Sequence, residues 1–261
     1  MSRVARVESP TGYYHILVRG NNRSYIFKNQ RHKVAFMEMI EEQEKDTGME
    51  LAAWCIMDNH VHLVIKAELD QLSLAMKRIN IKFAMMYNQD QNMVGHVFQD
   101  RFKSHVIDSD EYLLQVIRYV HNNPVSAKIE KNPGDYKWSS YREYFTKAGV
   151  GKRNQFKFVM ELFNNSMDSF KEFHNIEDNS EYLEIKEDLE RMRGEKAQAI
   201  ISECFSRHDI SEKIQIEGNN WIKDELIGDL IRKSGLSYRA ISRLLELPYS
   251  SVREVGKDIQ G

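Results

Sequence analysis

The chain has 261 residues, 41% of them hydrophobic, and a formal net charge of −2. That is enough for one or two domains with buried cores and excludes a disordered polyelectrolyte. No apolar run approaches the roughly 20 residues that cross a bilayer, and Met1-Ser2-Arg3-Val4-Ala5-Arg6 leads into no apolar signal core, so no membrane partner and a cytoplasmic location are expected.

Tyr13 to Arg19 is rich in β-branched and aromatic residues and stops at Gly20-Asn21-Asn22, which predicts a strand and a turn. Arg31 to Lys45 sets Val34, Phe36, Met37, Met39 and Ile40 mostly on one helical stripe. Leu51 to Met57 and Val61 to Lys66 read as a hairpin closed at Asp58-Asn59, and Asp70 to Tyr87 as a second helix. Phe102 to Ile107 is a strand candidate. A helix from about Asp110 to Asn122 follows, opened by acids that the dipole favours and closed by Pro124. This order predicts an α+β fold, a ferredoxin-like antiparallel sheet with helices on one face, over residues 1–148. Trp138-Ser139-Ser140-Tyr141 should pack back on that domain, and Gly149 to Asn154 reads as a linker.

Residues 149–218 read as an acidic helical connector, with Glu177 to Arg193 an exposed helix or mobile segment. Residues 157–218 hold 8 Lys and Arg against 15 Asp and Glu; without them the rest of the chain stands at +5, so a basic face is permitted. Residues 219–261 predict three helices. The first carries Leu226, Ile227 and Leu230, the second spans Ser237 to Glu246, and the third starts after Leu247-Pro248-Tyr249. Two short helices joined by a three- or four-residue turn match helix-turn-helix geometry, which would offer Tyr249, Ser250, Ser251 and Arg253 to duplex DNA.

His60 and His62 flank Val61, and on a strand residues i and i+2 share a face, so both imidazoles can reach one ion. A lone His-x-His arises often by chance. Tyr119 and Asn123, four apart, stack on one face of their helix. A tyrosine hydroxyl, with a reference pKa near 10, is a weak nucleophile unless it attacks beside a cation. Two imidazoles and an amide oxygen suit Mg²⁺ or Mn²⁺. His121 is a rival third ligand, but two residues along a helix it faces away from Tyr119. A zinc hydrolase would need a carboxylate or third histidine that the spacing does not supply, and Cys55 and Cys204 form no CxxC pair. Arg19, Asn21, Asn22 and Arg23, and then His96, Gln99, Arg101 and Lys103, are candidate DNA contacts. His15 and His105 read as structural or substrate-facing.

Asn59-His60-Val61-His62-Leu63 resembles the HUH motif of single-tyrosine transposases, and Gly95 to Ser104 resembles a segment of their REP-associated subgroup. Arg118 to Val125 is similar to that family's nucleophile helix, with Tyr119 at the catalytic tyrosine and Asn123 at a metal position. The resemblance covers residues 13 to 145. It implies a nuclease that binds hairpin-forming single-stranded DNA, cleaves it through a 5′-phosphotyrosine and rejoins it, as a monomer or homodimer associated with the nucleoid. Ser126 stands where the family usually has arginine, and Asp100 replaces a small residue, which puts substrate choice in doubt. The competing expectation is a DNA-binding regulator with an inactive nuclease fold.

Overall fold

The computed structural model describes residues 6–176, 186–210 and 220–260. Two compact units, Met1–Leu183 and Glu184–Gly261, divide the chain.

In the first unit β1 (Tyr13–Arg19), β2 (Glu50–Ile56), β3 (His60–Lys66) and β4 (Lys103–Ile107) form one antiparallel sheet in the order β2-β3-β1-β4. The register sets Arg19 opposite His60 and Leu17 opposite His62 on one side of β1, and His15 opposite His105 on the other. Strand alternation then sorts the side chains. Tyr14, Ile16, Val18, Val61, Leu63 and Ile65 join one core with α1 (Gln30–Thr47) and α2 (Leu69–Gln91), through Phe36, Ile40, Ile79 and Phe83. These two helices share one face, but the expectation of helices on one face alone does not extend to the helix after β4. The other face is covered as well: Tyr13, Ala53, Cys55 and Val64 pack with Leu113, Val116, Ile117 and Val120 of α3 (Asp110–Ser126).

The structure departs from the sequence reading at Pro124 and at 149–154, as well as in the extent of the first unit. Helix α3 runs through Pro124 to Ser126 instead of ending at Asn122. The restriction that proline places on the preceding residue is overridden here: the carbonyls of Asn123 and Pro124 accept from Ala127 at 3.0 Å and Ile129 at 2.9 Å, and Asn123 stays helical. The glycine-rich 149–154 stretch is not an open linker. It holds α4 (Lys147–Lys152) and the start of α5 (Asn154–Leu162), and Arg153 between them is buried against Glu44 and Glu143.

The first unit extends past residue 148 because α5 and α6 (Met167–His174) give Phe156, Val159, Met160 and Phe170 to the α3-side core. Of the expected connector, residues 177–185 and 211–219 lie outside the described residues. The second unit contains α7 (Lys186–Arg207), α8 (Asn220–Lys233), α9 (Tyr238–Leu245) and α10 (Tyr249–Gln260). Its core includes Ala197, Ile201, Leu226, Leu230, Ile241, Leu245 and Val252. Among the described residues no helix is long and apolar enough to cross a membrane.

Candidate active site

The sheet's α3 face carries a row of histidines. His15, His60 and His62 alternate with core residues on β1 and β3, so burial of Ile16 and Val61 on the far side fixes which way the imidazoles face. Helix α3 crosses that face on the apolar stripe of Leu113, Val116, Ile117 and Val120, which brings Tyr119 and Asn123 over the histidines. Asn123 Oδ1 is 3.2 Å from His60 Nε2, and Asn123 Nδ2 donates to the Tyr119 hydroxyl at 3.3 Å. The His62 ring stands edge-on to His60 with centroids 5.0 Å apart, and to Tyr119 at 5.3 Å. The four residues singled out in the sequence therefore converge.

Each of the two β3 histidines has its Nδ1 engaged by a neighbour. His60 Nδ1–H donates to Asn59 Oδ1 at 2.7 Å, and His62 Nδ1 is 3.0 Å from His15 Nε2. With its Nδ1 proton given to Asn59, His60 turns Nε2 toward an amide oxygen, an acceptor facing an acceptor. Such a pair is satisfied by a cation or by a second proton on the ring. Burial, then the neighbouring His60 and His15, hold His62 well below the ordinary imidazole pKa, and burial followed by His105 brings His15 down to about 3. The neutral ring is the form that ligates a metal. Among the described residues no three His, Cys, Asp or Glu side chains cluster to hold an ion. The donor set here is two imidazoles and one amide oxygen, which fits a divalent cation with substrate or water completing the shell.

The hairpin turn is tied down from three sides. Lys33, buried on α1, donates to Asp58 Oδ1 at 2.9 Å and to Tyr136 OH at 3.3 Å. Gly20 N donates to Asn59 O and Phe27 N to Asp58 O. Asn59, His15 and Lys33 were not singled out as site residues in the sequence. For His15 and Asn59 the signal was position, a histidine on the strand that pairs with the His-x-His strand and an amide beside the first imidazole; Lys33 offers none.

His121 does not join the site. Its Nδ1 donates to His174 Nε2 at 2.9 Å, its Nε2 accepts from Ser140 Oγ at 2.8 Å, and His174 Nδ1 donates to Phe170 O at 2.8 Å. Asn122 Nδ2 also donates to His174 O at 2.8 Å. One face of the Tyr119-to-Asn123 turn thus serves the histidines and the other anchors α6.

The remaining candidates are dispersed. Arg19 and Lys103 lie at strand ends on the histidine face, by register with His60 and Leu17. Asn21, His96, Gln99 and Arg101 line one cavity of about 700 Å³, whose α2 wall includes Lys77 and Asn80. Asn22 and Arg23 are exposed in a 3-10 turn, with φ of 47° and 60°. Tyr249, Ser250, Ser251 and Arg253 open α10 in the second unit, with Tyr249, Ser250 and Arg253 exposed. The three residues Glu246-Leu247-Pro248 join α9 to α10.

Residues 9–123 match the family model described as IS200-like transposase. No curated protein matches the chain. Among solved structures the chain is similar to a REP-associated tyrosine transposase bound to a REP hairpin, at 21% identity and a TM-score of 0.48, over 57% of this chain and 87% of that one. It is also similar to a candidate transposase from Deinococcus radiodurans R1, at 16% identity and a TM-score of 0.32, over 47% of this chain and 95% of that one.

Proposed function

We propose, taking residues 9–123 as an IS200-like transposase domain, that this chain cleaves and rejoins single-stranded DNA through a covalent bond between Tyr119 and a 5′ phosphate. The observation that carries the reading is the convergence of Tyr119 and Asn123 from α3 with His60 and His62 from β3. The Tyr119 oxygen attacks phosphorus, an O–P bond forms, and the bond to the 3′ oxygen breaks. The phenol proton leaves, and the departing oxygen takes up a proton to become a free 3′ hydroxyl. The phosphodiester energy stays in the phosphotyrosine, so attack by a 3′ hydroxyl reverses the step and joins strands without a nucleotide cofactor.

Asn123 holds the Tyr119 hydroxyl through Nδ2 and, in this reading, contributes Oδ1 with His60 and His62 to Mg²⁺ or Mn²⁺, which would offset phosphate charge. The motif resemblance points to a hairpin-forming strand as substrate. The cavity lined by Asn21, His96, Gln99 and Arg101, with Lys77 opposite, suits the unpaired flank of such a strand, since amides and cations can meet base edges and phosphates. Arg19 and Lys103 would hold phosphate beside His60, with Asn22 and Arg23 at the turn. The second unit would contact duplex DNA with Tyr249, Ser250, Ser251 and Arg253 as a helix-turn-helix.

The test is to mix the full chain with a hairpin-bearing DNA strand and Mn²⁺ and to look for a protein–DNA adduct that survives denaturation. Tyr119→Phe should abolish it. An undiminished adduct in that variant would remove Tyr119 as nucleophile, and salt-sensitive binding with no adduct from the parent would favour the regulator reading.

A further inference from the structure

A histidine that ligates through Nε2 must keep its own proton on Nδ1, and that proton needs an acceptor. For His60 the acceptor is Asn59 Oδ1, fixed in role because an amide oxygen can only accept. For His62 the neighbour is another imidazole, His15 Nε2 at 3.0 Å. Both rings are sealed from solvent: His15 is 0% and His62 1% exposed. Water cannot take the Nδ1 proton, so its placement is decided between two histidines.

The pair has two neutral arrangements. In one, His62 Nδ1–H donates to His15 Nε2, His15 carries its proton on Nδ1, and His62 Nε2 presents a lone pair to the site. In the other, His15 Nε2–H donates to His62 Nδ1, and His62 Nε2 carries a hydrogen where a ligand bond would form. His15 Nδ1 is buried without a hydrogen-bond partner, so it biases neither arrangement. Whatever occupies the far side of His62 then selects between them.

We propose that His15 is the positioning residue for His62: it accepts the Nδ1 proton of His62 and so makes Nε2 of that ring a metal ligand. This rests on the metal-site reading above and extends it from β3 to β1. His15 also stands edge-on to the Tyr119 ring, with centroids 5.6 Å apart, so one side chain bounds both the metal half and the nucleophile half of the site. Partners that orient a ligating histidine in this way typically govern metal affinity about 10–100-fold.

Two substitutions separate the hydrogen bond from packing. His15→Phe keeps a ring against Tyr119 but removes the acceptor, and His15→Gln restores an acceptor at about the same reach. Mn²⁺ binding to the full chain without DNA, measured by electron paramagnetic resonance, should weaken about 10–100-fold in His15→Phe and stay close to the parent in His15→Gln. Two-bond ¹H–¹⁵N spectra with Mg²⁺ should show His62 protonated on Nδ1 in the parent and in His15→Gln, but on Nε2 in His15→Phe. Thermal unfolding of each variant checks that it folds. Parental Mn²⁺ affinity in His15→Phe, or equal losses in both variants, overturns the proposal. His62→Ala is the control. If it leaves Mn²⁺ binding unchanged, the metal-site reading fails and this inference with it; if it abolishes binding while His15→Phe does not, the positioning role alone is lost.

Discussion

The buried relay from Ser140 through His121 to His174 predicts how the first unit responds to acid. Burial is the main cause that pushes His174 down to about 4, with the Phe170 carbonyl opposing and Arg118 adding to it, while burial and then His174 hold His121 well below its ordinary value. The folded state therefore keeps both rings neutral at a pH where the unfolded chain, titrating near 6.5, takes up protons. Stability is fully present above about pH 6.5 and is lost as pH falls toward 4. At pH 5 the unfolded His174 has gained about 1.5 pH units of protonation free energy, about 2 kcal/mol, and His121 adds loss of the same sign. Urea unfolding followed by the fluorescence of Trp54 and Trp138 measures this, because at about 2 kcal/mol per molar urea the His174 share alone moves the midpoint about 1 M between pH 7.5 and pH 5. His174→Phe should be less stable than the parent at pH 7.5, since His121 Nδ1 loses its acceptor, yet its loss on acidification should be about 2 kcal/mol smaller. The buried His15 and His62 are common to both proteins and cancel in the comparison. The same pH dependence in both would refute the neutral-relay account.

Three further outcomes are expected. Asn123→Ala removes the Oδ1 that faces His60 and the Nδ2 that holds the Tyr119 hydroxyl, so adduct formation should fall at least about tenfold while the unfolding midpoint stays near the parent's; a full-rate adduct would remove Asn123 from the chemistry. Lys77→Glu and Arg101→Glu reverse charge on two walls of the cavity, and should weaken binding of single-stranded flanks and flatten the salt dependence by about one unit each, read by anisotropy across a salt series; unchanged slopes would take DNA away from the cavity. Glu246 sits left-handed at φ 60°, ψ 28°, at the junction of α9 and α10, so Glu246→Gly should raise the thermal stability of the second unit by about 0.5–1 kcal/mol, and a fall would mean its side-chain interactions outweigh the strain.

How much of this was legible in the sequence follows from the range of the forces involved. Among the described residues, strand and helix periodicity located the four strands and the helices α1 and α2, because alternation and the 3.6-residue stripe are written in local burial. The same alternation put His60 and His62 on one side. Spacing also joined Tyr119 to Asn123, although Pro124 falsely shortened their helix: the residue before proline was expected to leave helical geometry, whereas Asn123 still accepts from Ala127 N. Glycines at 149 and 151 suggested a linker, yet Arg153 folds that stretch onto Glu44, more than a hundred positions away. The extension of the first unit through α6 was hidden for the same reason, since Phe156 and Phe170 find their partners only once α3 is in place.

What the sequence left open was the hydrogen-bond partners of its histidines. His121 and His62 each stand two residues from another candidate ligand. On a helix that separation sends His121 to the opposite face, where Ser140 and His174 take both its nitrogens and leave nothing for an ion. On a strand it puts His62 beside His60, where only Nδ1 is engaged and Nε2 faces the site. Backbone period thus decides which histidine is structural and which is available for chemistry. The hydrogen-bond partner of His62 Nδ1 is then His15, a residue 47 positions upstream that the register of β1 against β3 brings within range.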